Sequence, residues 1–438
     1  MPTLPDWGLE SEPVGKAPGE PLRRGRLIGG TSWLTRFAVR GNAADFNAWA
    51  ARGNPGWRFD DLLPAFRRVE ADAEFGDREW HGDHGPIAIT RYPNLRRSAI
   101  HEAALLAFDE LGFPQVDDHN SPNAVGAGPL PMSSRDGVRA VSADTYLAEV
   151  PANLTVRADS PVARVLLDKG HATGVQLTDG TEIPAGWIVL SGGTYGSPTI
   201  LMRSGIGPAK GLKAAGIEPR VDLPGVGENL ADHPGVDLEC GWRGEGVMGP
   251  VLQSIATYRS SKAASGDPPD MMFWASDPQG DEAQFYFDPI LLKPASRGSV
   301  RLRSADPTAT PRITLPGAHE RADMQRLEEG YLLGLDLANR PEIRAISSEA
   351  APPEPRSPAE LRQRVQENLY SIPHVVGTCR VGPSLEDGDV VDATGRVHGV
   401  EGLSVIDASI IPEPPSGFPH LITLALAERL SEGLRALL

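Results

Sequence analysis

Two histidines near the C-terminal end of the chain have the residue type and the setting expected of acid–base catalysts. His374 lies in the segment YSIPHVVGTCRVG, and His420 follows the Pro- and Gly-rich segment IIPEPPSGFP at the start of an apolar helical pattern. An unperturbed imidazole titrates near about pH 6.5, so it can accept or release a proton at neutral pH. An isolated histidine is more often structural, but two histidines in rigid Gly/Pro turns shift the balance towards catalysis.

A Ser–His–Asp hydrolase is one interpretation of these histidines. Hydrolases of that kind often present the serine in a G-x-S-x-G elbow. The chain contains no such elbow, since segments such as PSGF do not meet the pattern. The residue pattern therefore does not favour a hydrolase.

A Gly-rich segment, SGGTYGS (residues 191–197), follows the apolar run WIVL. The pattern predicts a buried strand, a turn, and a helix that starts near Ser197 with Pro198 at its first position. Glycines permit positive φ angles and let a ligand approach the backbone, and a helix start offers free N–H groups. Either a cofactor contact or a plain tight turn would explain this segment.

Two further segments contain glycine pairs or clusters, RGRLIGGTSW (24–33) and GVGENLADHPG (225–235). Glycine pairs are common in turns, so the first carries little information alone. In the second, Asn229, Asp232 and His233 suggest a metal site, but their spacing matches no standard metal motif. We therefore interpret the second segment as a structural loop and predict no metal.

Composition limits the classes of partner and compartment. The net charge of the 438-residue chain is −16, which disfavours binding to nucleic acid. Cys240 and Cys379 are the two cysteines; they form neither a disulfide framework nor a zinc site, and they fit a reducing compartment. The N-terminus does not resemble a signal peptide, and no apolar run is long enough for a membrane helix. We predict a soluble, cytoplasmic protein without a membrane span.

The remaining pattern predicts helices and short strands in a mixture typical of α/β and α+β folds. The predicted helices cover residues 59–70, 100–113, 320–339, 357–369 and 420–437. The predicted strands include LTVR (154–157), ARVLLD (163–168), TGVQLTDG (173–180), WIVL (187–190) and GLSVIDA (402–408), and residues 117–140 are predicted to be a loop. The aromatic residues of FWASDPQGDEAQFYF (273–287) either line an apolar pocket or belong to the core.

Taken together, five ordered blocks resemble the glucose–methanol–choline (GMC) oxidoreductase family over most of the chain. They are RGRLIGGTSW with RGNAADFNAWAARGNPGWRFDDLLPAF, LSGGTYGSPTILMRSGIGP, DLPGVGENLADHP, HVVGTCRVG, and VVDATGRVHGVEGLSVIDASIIP with SGFPHLITLALAERL. The resemblance implies an enzyme that uses FAD to oxidise a small-molecule alcohol to a carbonyl. In such enzymes a base takes the hydroxyl proton while a hydride passes to the flavin N5.

The resemblance also assigns roles to individual residues. His374 falls at the position of the base, and His420 falls where the family keeps a second histidine or an asparagine, which would orient the substrate oxygen. The residues implied to contact FAD are Gly29, Gly30, Thr31, Ser32, Val162, Gly192, Gly193, Asp407, Ala408, His420 and Leu421.

In the family, a first βαβ unit with a G-x-G-x-x-G turn precedes the block that begins here at Arg24. The chain has no credible copy of that motif. The segment GAGPLP (126–131) begins like one, but it has proline where a helix should start. The expected fold is therefore α/β plus α+β, with an incomplete FAD-binding Rossmann-like domain and an interleaved antiparallel-sheet substrate domain. The predicted boundaries are 1–89, 135–240 and 372–438 for the first domain, and 90–134 and 241–371 for the second. An upstream segment or a separate chain would supply the missing unit.

Two alternatives remain for the function. A flavin-dependent hydroxynitrile lyase would share the family resemblance without net oxidation. A non-catalytic truncated relic or binding protein would no longer bind FAD. If the enzyme is an alcohol oxidiser, the sequence favours a dehydrogenase over an oxidase, and it identifies neither the alcohol nor the electron acceptor.

Overall fold

A computed structural model of the chain describes residues 4–13, 19–92, 97–244, 250–279 and 283–435. The α-helices in these residues are α1 Ala43–Ala51, α2 Phe59–Val69, α3 Ala99–Glu110, α4 Ser142–Tyr146, α5 Gly193–Arg203, α6 Ala209–Ala214, α7 Arg321–Ala338, α8 Pro341–Ile346, α9 Pro358–Glu367 and α10 Pro419–Arg435. The five predicted helices are confirmed within a few residues at each end, except that residues 436–437 of the last one lie outside the described residues. Their apolar residues recur at helical spacing and point into the core, as in α2, where Leu62, Phe66 and Val69 are buried.

The largest sheet is antiparallel and has seven strands in the described part of the chain. Its strands follow in the spatial order Leu369–Ser371, Pro234–Val236, Gln284–Leu291, Met271–Ser276, Ser254–Tyr258 and Gly126–Pro129, with Glu239–Gly241 also paired to Gln284–Leu291. His233 immediately precedes one of these strands and His374 follows another by three residues. The sheet therefore places both histidines at the same end of two neighbouring strands, which pair through Gly235 and Tyr370.

The two faces of this sheet pack against different clusters, because alternate residues of a strand point in opposite directions. Met271 and Phe273 face the cluster that contains residues of α3 and α7. Met272 and Trp274 face a second cluster that includes Phe418, two residues before His420. The second face is therefore the side of the sheet on which the C-terminal turn lies.

A parallel pair of strands, Ile188–Leu190 and Leu403–Val405, supports the Gly-rich turn. Ile188 and Leu190 are buried, but the side chain between them, Val189, is 42% exposed. Parallel strands are normally covered on both faces. α5 follows the first strand of the pair and Asp407 follows the second, so both loops emerge from the same edge.

The predicted strand over residues 154–157 was wrong. Residues 148–159 are exposed throughout and form no strand. Leu154 and Val156 have the alternation of a strand, but a strand is stable only when a neighbour accepts and donates its ladder hydrogen bonds. In the described chain, this segment has no such neighbour.

The predicted loop over residues 117–140 was also wrong in part, since it contains the strands Gly126–Pro129, Pro131–Arg135 and Val138–Arg139. Its glycines misled the prediction, although they are required there: a Cβ on Gly128 would lie 1.7 Å from the carbonyl oxygen of Val116. The glycine content therefore reflects close backbone packing rather than an irregular loop.

The smaller sheets complete the fold. Glu70–Asp72, Ile87–Arg91, Pro131–Arg135 and Val138–Arg139 form a four-stranded sheet, and Val162–Asp168, His171–Leu177 and Glu182–Pro184 form a three-stranded one. Short pairs are Leu9–Glu10 with Pro21–Leu22, Ile206–Gly207 with Val221–Asp222, and Ser299–Arg301 with Arg312–Thr314. The three-stranded sheet packs on α5 and helps to fix its position.

Candidate active site

The loop that carries His374 is held by a buried carboxylate. The backbone N–H of His374 donates to Oδ1 of Asp232 at 2.7 Å, and the N–H of His233 donates to the same oxygen at 2.8 Å. The Ser371 hydroxyl donates to the other oxygen. Burial raises the pKa of Asp232 to about 6, against the lowering effect of these hydrogen bonds. Asp232 thus ties the two histidine segments together.

The rings of His233 and His374 meet edge to face, with Nδ1 of each ring 3.2 Å from Nδ1 of the other. On its opposite side, Nε2 of His233 lies 3.0 Å from the carbonyl oxygen of Pro415. Burial, and then the nearby His233 and Arg24, hold the pKa of His374 well below its usual range. Burial and the charge of Lys293 lower the pKa of His233 to about 4. Both rings are therefore neutral at neutral pH.

The turn before His420 is fixed by contacts to distant parts of the chain. Nζ of Lys293 donates to the carbonyl oxygen of Pro414 at 2.7 Å and to Asp45 at 2.8 Å. The carboxylate of Asp45 also accepts from the backbone N–H of Ser416 at 2.9 Å. A Cβ on Gly417 would lie 2.4 Å from the backbone nitrogen of Gly41, so this position requires glycine. These contacts set where α10, and with it His420, begins.

His420 is partly buried, and its Nε2 is a buried atom without a hydrogen-bond partner in the described part of the chain. Burial and the charge of Arg139 lower its pKa to about 4. An unpaired buried polar atom is costly, so such an atom in a native protein commonly faces a ligand or water. The neutral ring of His420 thus has a nitrogen with no partner among the described residues.

Phe418 lies between the segments of the two predicted catalytic histidines and contacts one of them. Its ring centre lies 4.7 Å from that of His374 and 5.7 Å from that of Phe37. Phe418 also belongs to the turn that positions His420, two residues further on. The structure thus places His374 against Phe418, and His420 lies two residues beyond Phe418 along the chain.

The Gly-rich turn at residues 191–197 is built around Asp407. One oxygen of this carboxylate accepts from the Gly193 N–H at 2.8 Å and from the Ser197 hydroxyl at 2.5 Å, and the other accepts from the Ser409 N–H. Ser197 in turn accepts from the Gly192 N–H at 2.9 Å. Because these groups satisfy the first N–H groups, α5 begins at Gly193 and not near the predicted Ser197. Pro198 lies inside the helix.

The other predicted cofactor segment forms a short 3-10 helix, Gly30–Trp33. Gly29 has φ of +88°, and a Cβ there would lie 2.8 Å from Cβ of Ala143, whereas a Cβ on Gly30 would meet no atom within 4 Å. Thr31 is exposed, and the buried Ser32 hydroxyl donates to the Gly29 carbonyl at 2.6 Å. The turn therefore presents Gly30 and Thr31 to open space.

The remaining predicted contacts lie in different settings. Ala408 starts a 3-10 helix, Ala408–Ile410, directly after Asp407. Val162 opens the strand Val162–Asp168, which packs on α5. Leu421 is fully buried in the cluster that surrounds the parallel pair. The described contacts join Ala408 to the Gly-rich turn, but they do not join Val162 to the histidine loops.

Sequence reasoning missed four residues of this site. Asp232 and His233 were assigned to a structural loop, although they contact the His374 segment directly. Arg24 donates to the carbonyl oxygen of Pro373 at 3.1 Å and stacks over the ring of Tyr195, 5.0 Å from its centre. The Tyr195 hydroxyl is buried without a partner in the described chain. Only the Asp-His pair in GVGENLADHPG carried a signal that could have been used.

The phenylalanines of segment 273–287 belong to the core, which is one of the two possibilities that the sequence left open. Phe273, Phe285 and Phe287 are fully buried in the cluster on the helix side of the sheet. Trp274 lies on the opposite face, where its Nε1 donates to Asp288 at 2.8 Å, and the Tyr370 hydroxyl donates to the same oxygen at 3.0 Å. Burial raises the pKa of Asp288 to about 7.

Two family models match the chain, and both are described as GMC oxidoreductase. The N-terminal model covers residues 20–235, and the C-terminal model covers residues 294–427. The first contains the Gly-rich turns and the Asp232–His233 pair. The second contains the loops of His374 and His420.

Curated proteins with related sequences agree with this assignment. The chain is 33% identical to a 5-(hydroxymethyl)furfural oxidase of Methylovorus sp. (strain MP688), in a match that covers 94% of this chain and 82% of that protein. It is 29% identical to an oxygen-dependent choline dehydrogenase of Photobacterium profundum, with 98% and 83% covered.

Solved structures show the same fold. The crystal structure of pyridoxine 4-oxidase from Mesorbium loti superposes with a TM-score of 0.90 at 30% identity, covering 98% of this chain and 88% of that one. The mixed α/β fold predicted from the sequence is thereby confirmed. Among the described residues, no helix combines the length and apolar character that crossing a bilayer requires. The chain belongs to the GMC oxidoreductases, a family of FAD-dependent enzymes that act as alcohol oxidases or dehydrogenases.

Proposed function

We propose that this protein oxidises a small-molecule alcohol to its carbonyl, with His374 as the base and His420 as the residue that orients the substrate oxygen. The observation that carries the proposal is the geometry around Phe418. Its ring contacts His374, and its turn delivers the unpaired Nε2 of His420. We take these two neutral imidazoles to be parts of one site.

The residues present fit FAD. Added Cβ atoms at Gly30 and Gly193 would meet no atom within 4 Å, so both backbones border open space. The positive dipole end of α5 lies at Gly193, which suits a cofactor that carries phosphates. We propose that FAD lies along Gly29, Gly30, Thr31, Ser32, Gly192, Gly193, Asp407, Ala408 and the start of α10, with a peripheral contact at Val162. When bound, FAD supplies the acceptor for the hydride, the flavin N5.

The chemistry left to the chain is proton removal and positioning. An alcohol hydroxyl is a weak acid, so its proton needs an acceptor that is neutral and close. His374 meets the first condition because burial keeps its pKa low. Asp232 holds the backbone of His374 and Phe418 packs on its ring. A misplacement of about 1 Å could cost roughly a hundredfold in rate. His420 binds the substrate oxygen, and the apolar face of the sheet excludes water.

The walls of the site support an alcohol with an apolar or aromatic body. Phe37, Phe418, Trp274 and Tyr370 all pack on the same cluster as the histidine loops. Names of the relatives include oxidases of 5-(hydroxymethyl)furfural and pyridoxine, which are alcohols on aromatic rings. We therefore propose a primary alcohol on an aromatic or aliphatic body as the substrate. Comparing oxygen uptake with reduction of an artificial acceptor distinguishes an oxidase from a dehydrogenase.

We also propose that additional polypeptide, either an upstream segment or a separate chain, completes the FAD-binding domain beside the parallel pair. The support is the 42% exposed Val189, because the strands of a parallel sheet are normally covered on both faces. Flavin absorbance of the purified chain, with and without any in-frame upstream sequence, tests this part. Equal flavin content in both would contradict it.

Anaerobic mixing with a panel of primary alcohols tests the function itself. An alcohol-oxidising enzyme reduces its flavin, so the visible absorbance falls as the aldehyde appears in equal amount. A hydroxynitrile lyase converts its substrate without bleaching the flavin. Failure to bind FAD under any condition would instead indicate a binding protein.

A further inference from the structure

The contact between His233 and His374 demands one particular arrangement of protons. Their Nδ1 atoms are 3.2 Å apart, within hydrogen-bonding range. A neutral imidazole has one N–H and one bare nitrogen, so one of these two Nδ1 atoms must carry the proton and the other must accept it. Two bare nitrogens would set lone pair against lone pair, and two N–H groups would clash.

The carbonyl of Pro415 determines which ring is the donor. A carbonyl oxygen can only accept, so Nε2 of His233, 3.0 Å away, must carry a proton. His233 is fully buried, and Lys293 beside it disfavours a second proton. Its Nδ1 is therefore bare and accepts from Nδ1–H of His374. The lone pair of His374 is left on Nε2.

Charges around the pair support two neutral rings. Arg24 and Lys293 are the cations that disfavour protonation of His374 and His233. The anions are Asp232, whose two oxygens are occupied by N–H and O–H donors, and Asp45, which is paired with Lys293. Both carboxylates thus accept hydrogen bonds from groups other than the two imidazole rings. The contact between the two rings and the Pro415 carbonyl therefore determine which ring nitrogens of His233 and His374 carry protons.

We propose that His233 is a positioning residue that fixes the tautomer of His374, so that Nε2 of His374 is the atom that removes the alcohol proton. This inference rests on the proposed function of the site. His233 also joins the two catalytic loops, since it contacts His374 on one side and the turn before His420 on the other. A proton taken up by His374 is then stabilised by the Nδ1–H bond to the bare nitrogen of His233.

Nitrogen-15 NMR of histidine-labelled protein tests the tautomer without any turnover. Ring nitrogens with and without a proton resonate far apart, and the chain has only 10 histidines. We expect His374 to show a protonated Nδ1 and a bare Nε2, and His233 to show the reverse. The His374→Gln and His233→Gln variants assign the signals. A protonated Nε2 on His374 would overturn the inference.

Two substitutions separate the roles of the two ring nitrogens of His233. The carboxamide of His233→Asn can place an oxygen near the Nδ1 position, so it keeps an acceptor for His374 and loses the donor to Pro415. The carboxamide of His233→Gln can keep the donor to Pro415 and loses the acceptor. We expect kcat to fall roughly 10- to 100-fold in His233→Gln and clearly less in His233→Asn, with little change in KM.

The opposite ranking would overturn the inference, because it would show that His233 serves only to hold the turn at Pro415. Equal activity of both variants and the wild type would overturn it as well. His84→Gln is the matched control, since the side chain of His84 is 90% exposed. Flavin content and melting temperature identify a variant that fails to fold, in which case the tautomer measured in the wild type decides.

The outcomes also separate this inference from the proposed function. If no alcohol bleaches the flavin of the wild-type holoenzyme, the proposed function fails whatever the tautomer is. If alcohols bleach the flavin while His374 carries its proton on Nε2, only the inference about His233 fails.

Discussion

The carboxylate of Asp232 accepts the backbone N–H of His374 at 2.7 Å, across 142 positions of sequence. The same oxygen accepts the N–H of His233, and the other oxygen accepts the Ser371 hydroxyl. A single buried side chain, 2% exposed, thus sets the position of the proposed base and of its neighbour. This explains why an acidic residue that never touches the imidazole of His374 belongs to the site.

Replacement of Asp232 by alanine should therefore damage both stability and catalysis. It leaves three donors without their acceptor in a buried position, and we expect a loss of about 2–4 kcal/mol in the free energy of unfolding. Denaturant titration measures this loss, and kcat measures the displacement of His374. Asp232→Asn is the control, because it keeps one oxygen for the two N–H groups. Equal losses of stability and kcat in the two variants would contradict the role of Asp232 as the acceptor of these N–H groups.

Alanine at Gly193 should reduce FAD binding more than it reduces stability. Gly193 has φ of +73° and borders the open space that we assign to FAD. Gly170→Ala is matched to it, since Gly170 has φ of +88° and also faces open space, but in a hairpin turn. Each substitution should cost about 1–2 kcal/mol in backbone strain.

FAD affinity, measured by the quenching of flavin fluorescence, distinguishes the two glycine variants. We expect Gly193→Ala to weaken binding at least about tenfold, which corresponds to about 1.4 kcal/mol, and Gly170→Ala to leave it unchanged. Comparable FAD affinities in the two variants would show that FAD does not lie beside Gly193.

Substitutions of Phe273 and Trp274, which lie on opposite faces of the sheet, should affect different properties: stability for Phe273 and KM for Trp274. Trp274→Phe changes the face that we assign to the substrate, so it should alter KM about three- to tenfold for aromatic alcohols with a small change in melting temperature. Phe273→Leu opens space in the helix-side core and should cost about 1–3 kcal/mol of stability with KM preserved. Steady-state kinetics and thermal unfolding measure the two effects. A stable Phe273→Leu variant with altered KM would reverse the assignment of faces.

His119 should make a measurable contribution to acid sensitivity. It is 3% exposed, and burial lowers its pKa to about 4. Since this folded-state pKa lies below the ordinary value of about 6.5, stability from its neutral form is present above that pH and is lost as the pH falls toward 4. The gap in unfolding free energy between wild type and His119→Gln should therefore shrink by about 3 kcal/mol between pH 6.5 and 4. A gap that does not change with pH would contradict this.

The elements that local pattern determines were predictable, and those that depend on distant partners were not. α7, Arg321–Ala338, has the apolar spacing of a helix along its whole length, so its sequence suffices. Residues 154–157 have a strand pattern but no strand beside them, and residues 126–135 look like a loop but find partners in two sheets. Strand formation depends on pairing, which periodicity does not encode.

The same limit applies to the site. The positions of His374 and His420 in Gly/Pro turns made both stand out, and the family resemblance supplied their roles. His233 was missed because its importance arises from contacts to residues 141 and 182 positions away. Asp407 was expected beside a cofactor, but its bonds to Gly193 and Ser197 show that it also determines where α5 begins.

The central claim is that His374 removes a proton from an alcohol while bound FAD is reduced. The most direct test is the rate of flavin bleaching on anaerobic mixing of the FAD-loaded protein with a primary alcohol, in the wild type and in His374→Gln. The account predicts bleaching in the wild type, and a rate lower by about 10²- to 10⁴-fold in the variant, with FAD still bound. Equal rates in the two proteins would contradict the assignment of His374 as the base.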